Sequence, residues 1–311
     1  MLNIAKIFVY FFFSTSLYLN ILYYVKKYRL QRIENLYLKN YKKKLVINFL
    51  HKKTKNINKI FILGSGPSIR DLNFYKFKEI SKNISVGINK WIFHKFIADF
   101  YLLELKSNKY NELRGFEDLN FKYKDRITAL LNNKKKKPVF MIYCSQFNLT
   151  EMKEWSKIAK HPRVFFYEYL RPNIIKKNIQ LEFAKTLEYV IQSSRKSNVC
   201  SLGIGSSIER AVSIGMILGF SKIILLGVDL KNRKYFWKKN EMNFKDLNVQ
   251  QKGSGFHKTA TKEFLKFNIQ KSLLIMDKVA RRKFNSKILI STNKSLLSSK
   301  LDRYNWSNEK S

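Results

Sequence analysis

The sequence predicts an α/β domain built on a doubly wound, mostly parallel sheet. Short apolar runs ending in glycine-containing turns alternate with longer stretches that carry apolar residues at helical spacing. The length, 311 residues, is enough for one large domain with a sizeable core.

The first run is KIFIL (59–63), which ends in Gly64-Ser65-Gly66-Pro67-Ser68. Short buried strands of a parallel sheet have this form. ISVGI (84–88), DFYLLE (99–104), PVFMIYC (138–144) and RVFFYEY (163–169) follow, then KIILLGVDL (222–230) and KILIS (287–291). Helical spacing is expected over 178–193 and 261–284, and over 206–220, where a serine stands as N-cap and Gly219 lies near the end. No internal repeat is present, and NNKKKKP (132–138) reads as a charged surface loop rather than a domain boundary.

Ahead of this domain, Ile7 to Val25 is a run of 19 uncharged residues. At about 1.5 Å per residue it nearly crosses a ~30 Å hydrocarbon core. Tyr10, Tyr18, Tyr23 and Tyr24 suit an interfacial aromatic belt. Lys6 precedes the run, and Lys26, Lys27, Arg29 and Arg32 follow it. The expectation is one transmembrane helix in the inner membrane, with the C-terminal bulk in the cytoplasm. A buried core helix and a cleaved signal peptide are the alternatives, the latter without a small-x-small cleavage site. Residues 26–58 read as a basic juxtamembrane segment on anionic headgroups, or as an ordinary linker helix. The expected division is 1–25 anchor, 26–58 juxtamembrane, 59–303 catalytic domain and 304–311 tail.

The net charge is +39, while 45% of residues are hydrophobic and 15% aromatic, too apolar for a disordered polybasic tail. No basic helix, RNP-like aromatic motif or zinc finger accompanies the charge, so nucleic acid is not the expected partner. Cys144 and Cys200 form no CxxC, which argues against a zinc knuckle, a redox pair and a disulfide-dense module. A strongly basic protein is nevertheless attracted to anionic lipid and to phosphate-bearing substrates.

Five places can carry chemistry. Gly64–Ser68 lies between a strand and a helix, where backbone N–H groups can hold phosphate; a plain strand-to-helix turn is the alternative. Asn89 ends the next strand and offers both a donor and an acceptor, or simply turns the chain. Ser206 and Ser207, after Gly203-Ile204-Gly205, open a helix as an anion pocket or as capping residues. Asp229 ends a strongly apolar strand, where it could hydrogen-bond loop backbone, ahead of a basic-aromatic loop in which Lys231, Arg233 and Tyr235 could face a departing phosphate, solvent being the alternative for Lys231 and Arg233. His257, in GSGFHKTATKEF, is a general-base candidate on a glycine-flanked approach, or an incidental loop histidine. HExxH, GxSxG, an Asp-x-Asp pair and a His/Cys ligand cluster are all absent from the sequence, so no metal site is expected.

The order of these motifs resembles the bacterial sialyltransferases of glycosyltransferase family 42 and the related hydroxymethylpterin diphosphokinase-like and motility-accessory-factor proteins. The similarity covers roughly 59–301 and is strongest in FILGSGPSI (61–69), ILGFSKIILLGVDL (217–230) and ILISTNKSLL (288–297). It implies a Rossmann-like, glycosyltransferase-A-like sheet. It further implies that Gly64, Ser65, Gly66, Pro67, Ser68 and Asn89 hold the cytidine monophosphate half of a CMP-sugar. Ser206 or Ser207 would then lie near the donor sugar carboxylate, with Asp229 in the same nucleotide site. His257 would be the base, and Tyr235 would help the phosphate leave. Three positions depart from the family pattern. Ser65 stands for an asparagine, Lys231 for a second phosphate-facing tyrosine, and the region of Leu102 for another asparagine. Lys231 would neutralise the leaving phosphate in the tyrosine's place.

The expected activity is a metal-independent, inverting transfer of a sialic-acid-like sugar from a CMP-sugar to a cell-surface glycan or lipid-linked acceptor. No cofactor is expected, and self-association is left open. A magnesium-dependent diphosphokinase using Asp99, Glu104 and Asp229 is the alternative enzyme. A basic, membrane-tethered binder of anionic glycans or nucleic acid is the non-enzymatic one.

Overall fold

Val, Ile, Leu and Phe dominate the strands because a parallel strand inside a sheet is covered on both faces. In the computed structural model, eight such runs form one sheet: β1 (Lys59–Leu63), β2 (Ile84–Ile88), β3 (Phe100–Glu104), β4 (Val139–Tyr143), β5 (Val164–Leu170), β6 (Val199–Leu202), β7 (Lys222–Leu226) and β8 (Lys287–Ile290). The structure describes residues 15–37, 46–54, 56–105, 119–143, 154–172, 178–194, 196–203, 206–230, 236 and 268–307. The strand order is β6-β5-β4-β3-β2-β1-β7-β8, and each pairing is parallel. The chain steps outward from β1 to β6, then returns to the other side of β1 for β7 and β8. The switch point of this doubly wound order lies between β1 and β7, where ligand crevices form in such sheets. Leu63 pairs with both Gly87 and Leu226, so the carboxyl ends of β7, β1 and β2 are level.

The seven expected strands are present. VCSL forms the additional edge strand β6; its Ser201 is buried, and that polar residue broke the apolar run that would have marked it. β7 stops short of the expected residue 230, because Gly227 (φ 63°) and Leu230 (φ 59°) leave the extended conformation.

The described helices are α1 (Thr15–Tyr37), α2 (Val46–Thr54), α3 (Phe74–Ser81), α4 (Leu119–Leu131), α5 (Ser156–Ala159), α6 (Ile179–Ser194), α7 (Ser207–Ile217) and α8 (Ile269–Lys283). Short polar side chains fix several starts. Asn73 accepts from the Lys76 amide and Asn268 from the Lys271 amide, while Ser206 and Glu209 form a capping box on α7. Gly219 (φ 79°) follows α7 as expected. The expected helix over 261–284 is described from Ile269 onward, its earlier part lying outside the described residues.

At the N-terminus one helix, α1, runs through the boundary drawn at residues 25 and 26. Its Tyr18, Leu19, Tyr23 and Leu30 are buried, on a face that packs against β5 and α6. Polar clasps fix it there. Thr15 Oγ1 donates to Glu182 Oε1 at 2.6 Å, Tyr189 OH donates to Asn20 Oδ1 at 2.7 Å, and Lys26 Nζ lies 2.8 Å from Glu168 Oε2. In α2, Ile47 and Leu50 are buried and the Phe49 ring meets Phe165 of β5 at 5.5 Å. No described helix is long and apolar enough to cross a membrane, and residues 1–14 of the expected anchor lie outside the described residues. At the other end, Tyr304 and Trp306 are buried on Phe61 at ring distances of 5.6 and 5.8 Å, so the core continues past residue 303.

Candidate functional site

The tip of β1 is locked to the tip of β7 by backbone. Gly64 N donates to Leu226 O at 2.7 Å and Gly66 N to Gly227 O at 2.8 Å. The approach is so close that a Cβ on Gly64 would stand 2.6 Å from Gly227 O, and one on Gly66 would stand 2.5 Å from Asp229 Oδ2. Pro67 opens a 3-10 turn (Pro67–Asp71), and Ser68 directs both its amide and its hydroxyl to the buried Asp229 carboxylate. Three of the loop's amides are thus taken by the protein itself. The amides of Gly64, Gly66 and Ser68 face inward to β7 rather than outward to a phosphate, and close strand-to-strand contact is what requires the two glycines. Phe236 N donates to Ser65 O at 3.0 Å, and Arg70 Nε donates to Phe236 O at 2.6 Å, which lays one residue of the long 231–267 stretch across the loop. Ser295 Oγ donates to Val228 O and Leu296 N to Asp229 O, so the Asn-x-Ser-Leu-Leu segment braces the same tip from β8. A cavity of about 240 Å³ opens here, lined in part by Ser68, Gly227, Ser291, Asn293 and Arg303.

On the other side of β1, Asn89 ends β2 with φ 46°, a left-handed conformation that asparagine tolerates. Its Nδ2 donates to Ser207 Oγ at 3.0 Å, and its Oδ1 accepts from the Glu104 amide at 2.8 Å. Ser207 Oγ in turn donates to Glu104 Oε2 at 3.0 Å. Two predicted site residues, 118 positions apart, thus meet at the N-terminus of α7. Ser206, by contrast, turns its hydroxyl to the Ile208 amide as the cap. Glu104 Oε2 also lies 2.9 Å from Nη1 of Arg210, whose side chain is 1% exposed. The Arg210 guanidinium stacks on Tyr169, 4.0 Å from the ring centre, with Tyr143 at 5.0 Å. Lys90 follows Asn89 in the chain, and desolvation pushes its ammonium down to about 7.

Among the expected site residues, the structure therefore joins Ser68 to Asp229 and Asn89 to Ser207, on adjacent strand ends. Lys231, Tyr235 and His257 lie outside the described residues. The three carboxylates of the diphosphokinase alternative do not come together. Asp99 precedes β3 at its amino end, bound to Ser85 and 3.2 Å from Lys136, whereas Glu104 is at the carboxyl end, five residues or roughly 16 Å away. The sequence reading missed Arg210 and Lys90. The available signal for Arg210 was a Glu-Arg pair inside an otherwise apolar helix.

His94 closes the turn after β2. It stacks on Trp91 at 4.2 Å, and its Nδ1 accepts from the Phe96 amide at 2.9 Å. Burial, reinforced by Lys95, pushes it down to about 4. A base held neutral in the fold but titrating near 6.5 when unfolded stabilises the fold above pH 6.5, and that contribution is lost as the pH falls toward 4. The expected loss is on the order of 3 kcal/mol across that window. Thermal melts from pH 7 to 4.5 check it, with His94→Gln flattening the profile.

No protein-family model and no curated protein matches the chain. Solved structures do match. The sialyltransferase CST-II in complex with a trisaccharide acceptor and CMP is 13% identical, with a TM-score of 0.46 over 81% of this chain and 88% of that one. The monofunctional α-2,3-sialyltransferase Cst-I from Campylobacter jejuni is 14% identical, with a TM-score of 0.46 over 80% and 81%. The MAf glycosyltransferase from Magnetospirillum magneticum AMB-1 is 13% identical, with a TM-score of 0.37 over 75% of this chain and 31% of that one.

Proposed function

We propose that this protein is an inverting glycosyltransferase that moves a sialic-acid-like sugar from a CMP-activated donor to a glycan or lipid-linked acceptor at the cytoplasmic face of the inner membrane, without a metal ion. The observation that carries the reading is the meeting of Asn89 and Ser207 at the N-terminus of α7, one strand away from the Ser68–Asp229 pair. Level strand ends beside a topological switch point are where nucleotides bind in open α/β sheets. A helix N-terminus suits an anion, and the start of α7 already receives one, the Glu104 carboxylate on Ser207 Oγ.

In the proposed reaction an acceptor hydroxyl oxygen attacks the anomeric carbon as the bond from that carbon to the CMP phosphate breaks. The acceptor proton passes to His257, and CMP leaves with the bonding electron pair, its charge met by Lys231 and Tyr235. Positioning and electrostatic stabilisation supply most of the rate. Glu104 bears on the donor. Its carboxylate already stands at Ser207, so an acidic sugar has to be received on the side facing away from it, with Arg210 holding Glu104 back.

CMP at about 100 times its Kd is expected to stabilise the full-length protein by ~2.7 kcal/mol, read as a rise in Tm. The shift should be the same with magnesium or with EDTA, and Asn89→Ala should abolish most of it. A panel of CMP, CDP, UDP, GDP and ATP checks this. Stabilisation by ATP with magnesium and not by CMP would replace this reading with the diphosphokinase. His257→Ala with full donor hydrolysis would remove the assigned base.

A further inference from the structure

We propose that α1 docks the protein on an anionic membrane surface, lying in the plane of the interface rather than crossing the bilayer. The inference is independent of the catalytic reading, because it rests on the outward face of a helix whose inward face is already packed.

Ile21, Tyr24, Val25 and Tyr28 are 37%, 64%, 59% and 70% exposed. Their spacing (i, i+3, i+4, i+7) sets them on one stripe, about 100° wide at 100° per residue. The buried Leu19, Tyr23 and Leu30 lie on the opposite side of the same turns. Arg32, one turn beyond Tyr28 on the stripe, is exposed. Lys27 flanks the stripe, with its ammonium 6.0 Å from the Tyr23 ring. Aliphatic and tyrosine side chains followed by cations are the composition of a helix that lies at a headgroup boundary.

Charge selects the occupant. The chain carries +39, so a second copy meeting this face would bring the same sign, whereas an anionic bilayer is complementary. The clasps select the orientation. A crossing by Ile7–Val25 would pull Thr15 from Glu182 and Asn20 from Tyr189. It would also strain the hold of Lys26 on Glu168, whose side chain is 1% exposed. With α1 kept in place, only the eight positions 7–14 of the expected span are left, too few at about 1.5 Å per helical residue to cross a ~30 Å core.

The experiment is co-sedimentation of the full chain with vesicles of phosphatidylcholine, with and without phosphatidylglycerol. Wild type is expected to bind the anionic vesicles, and the combined Ile21→Ser, Tyr24→Ser, Val25→Ser and Tyr28→Ser variant to bind them at least about tenfold more weakly. A second variant, Lys27→Glu with Arg32→Glu, keeps the buried Leu19, Tyr23 and Leu30 of the packed face and the apolar stripe itself. It should weaken binding to anionic vesicles and leave neutral vesicles unaffected. Epitope tags at both ends should be cleaved by protease added outside sealed vesicles. Undiminished binding by both variants, a protected N-terminal tag, or a lipid-free dimer that the serine variant dissociates would each overturn the proposal.

Discussion

Asp229→Ala is expected to destabilise the protein by about 3 kcal/mol or more and to abolish any nucleotide-dependent thermal shift. The carboxylate is buried, and it accepts both the amide and the hydroxyl of Ser68. Truncation leaves both donors without an acceptor, and an unsatisfied buried polar group costs about 1–3 kcal/mol. The effect spreads because Gly66 packs directly on this carboxylate, and because Leu296 N holds the Asp229 carbonyl from the β8 side. Asp229→Asn keeps an acceptor for the Ser68 amide and should lose less than half as much. Equilibrium urea denaturation of the three proteins measures it. An alanine variant as stable as wild type would show that Asp229 does not hold the loop.

Arg210→Met is the second large effect, about 3–5 kcal/mol. The substitution keeps much of the side-chain volume over Tyr169 but removes the cation from Glu104. Removing one partner of a buried pair leaves the other charge uncompensated, whereas removing both charges is often close to neutral. The double variant Glu104→Gln with Arg210→Met should therefore recover most of the loss. Glu104→Gln alone should also be costly, since it leaves the buried Arg210 guanidinium without its counter-charge even though the amide oxygen can still accept from Ser207. A double-mutant cycle on unfolding free energies gives the coupling, and a coupling near zero would separate Arg210 from the Asn89–Ser207–Glu104 network. Because that network ends at the proposed donor site, the same variants report on substrate. Asn89–Ser207 geometry that depends on Arg210 predicts a CMP-induced shift lost together with stability and regained together with it.

Much of the fold was legible before any coordinates. Apolar runs such as KIFIL and KIILL can be covered only inside a sheet, and Ser206 with Glu209 announces a helix start by local hydrogen bonding alone. The candidate site was legible as a set of positions, because Asn89, Ser207 and Asp229 each follow a glycine-marked strand end or open a helix. Its chemistry was less legible. The glycines of Gly64–Ser68 read as a phosphate cradle, yet backbone packing against Gly227 accounts for them, and a single strand cannot declare which strand will lie beside it.

The sequence by itself determined the α/β alternation, the parallel strands and the helix caps, since these follow from local periodicity and from polar groups a few residues apart. Tertiary structure alone decided that Arg210 serves Glu104, that Ser68 serves Asp229, and that Thr15–Tyr37 packs one face on β5 and α6 while turning another outward. Those choices depend on contacts across 100 residues or more. At that range what counts is which polar group finds a partner once water is excluded, and neither composition nor spacing encodes that partner.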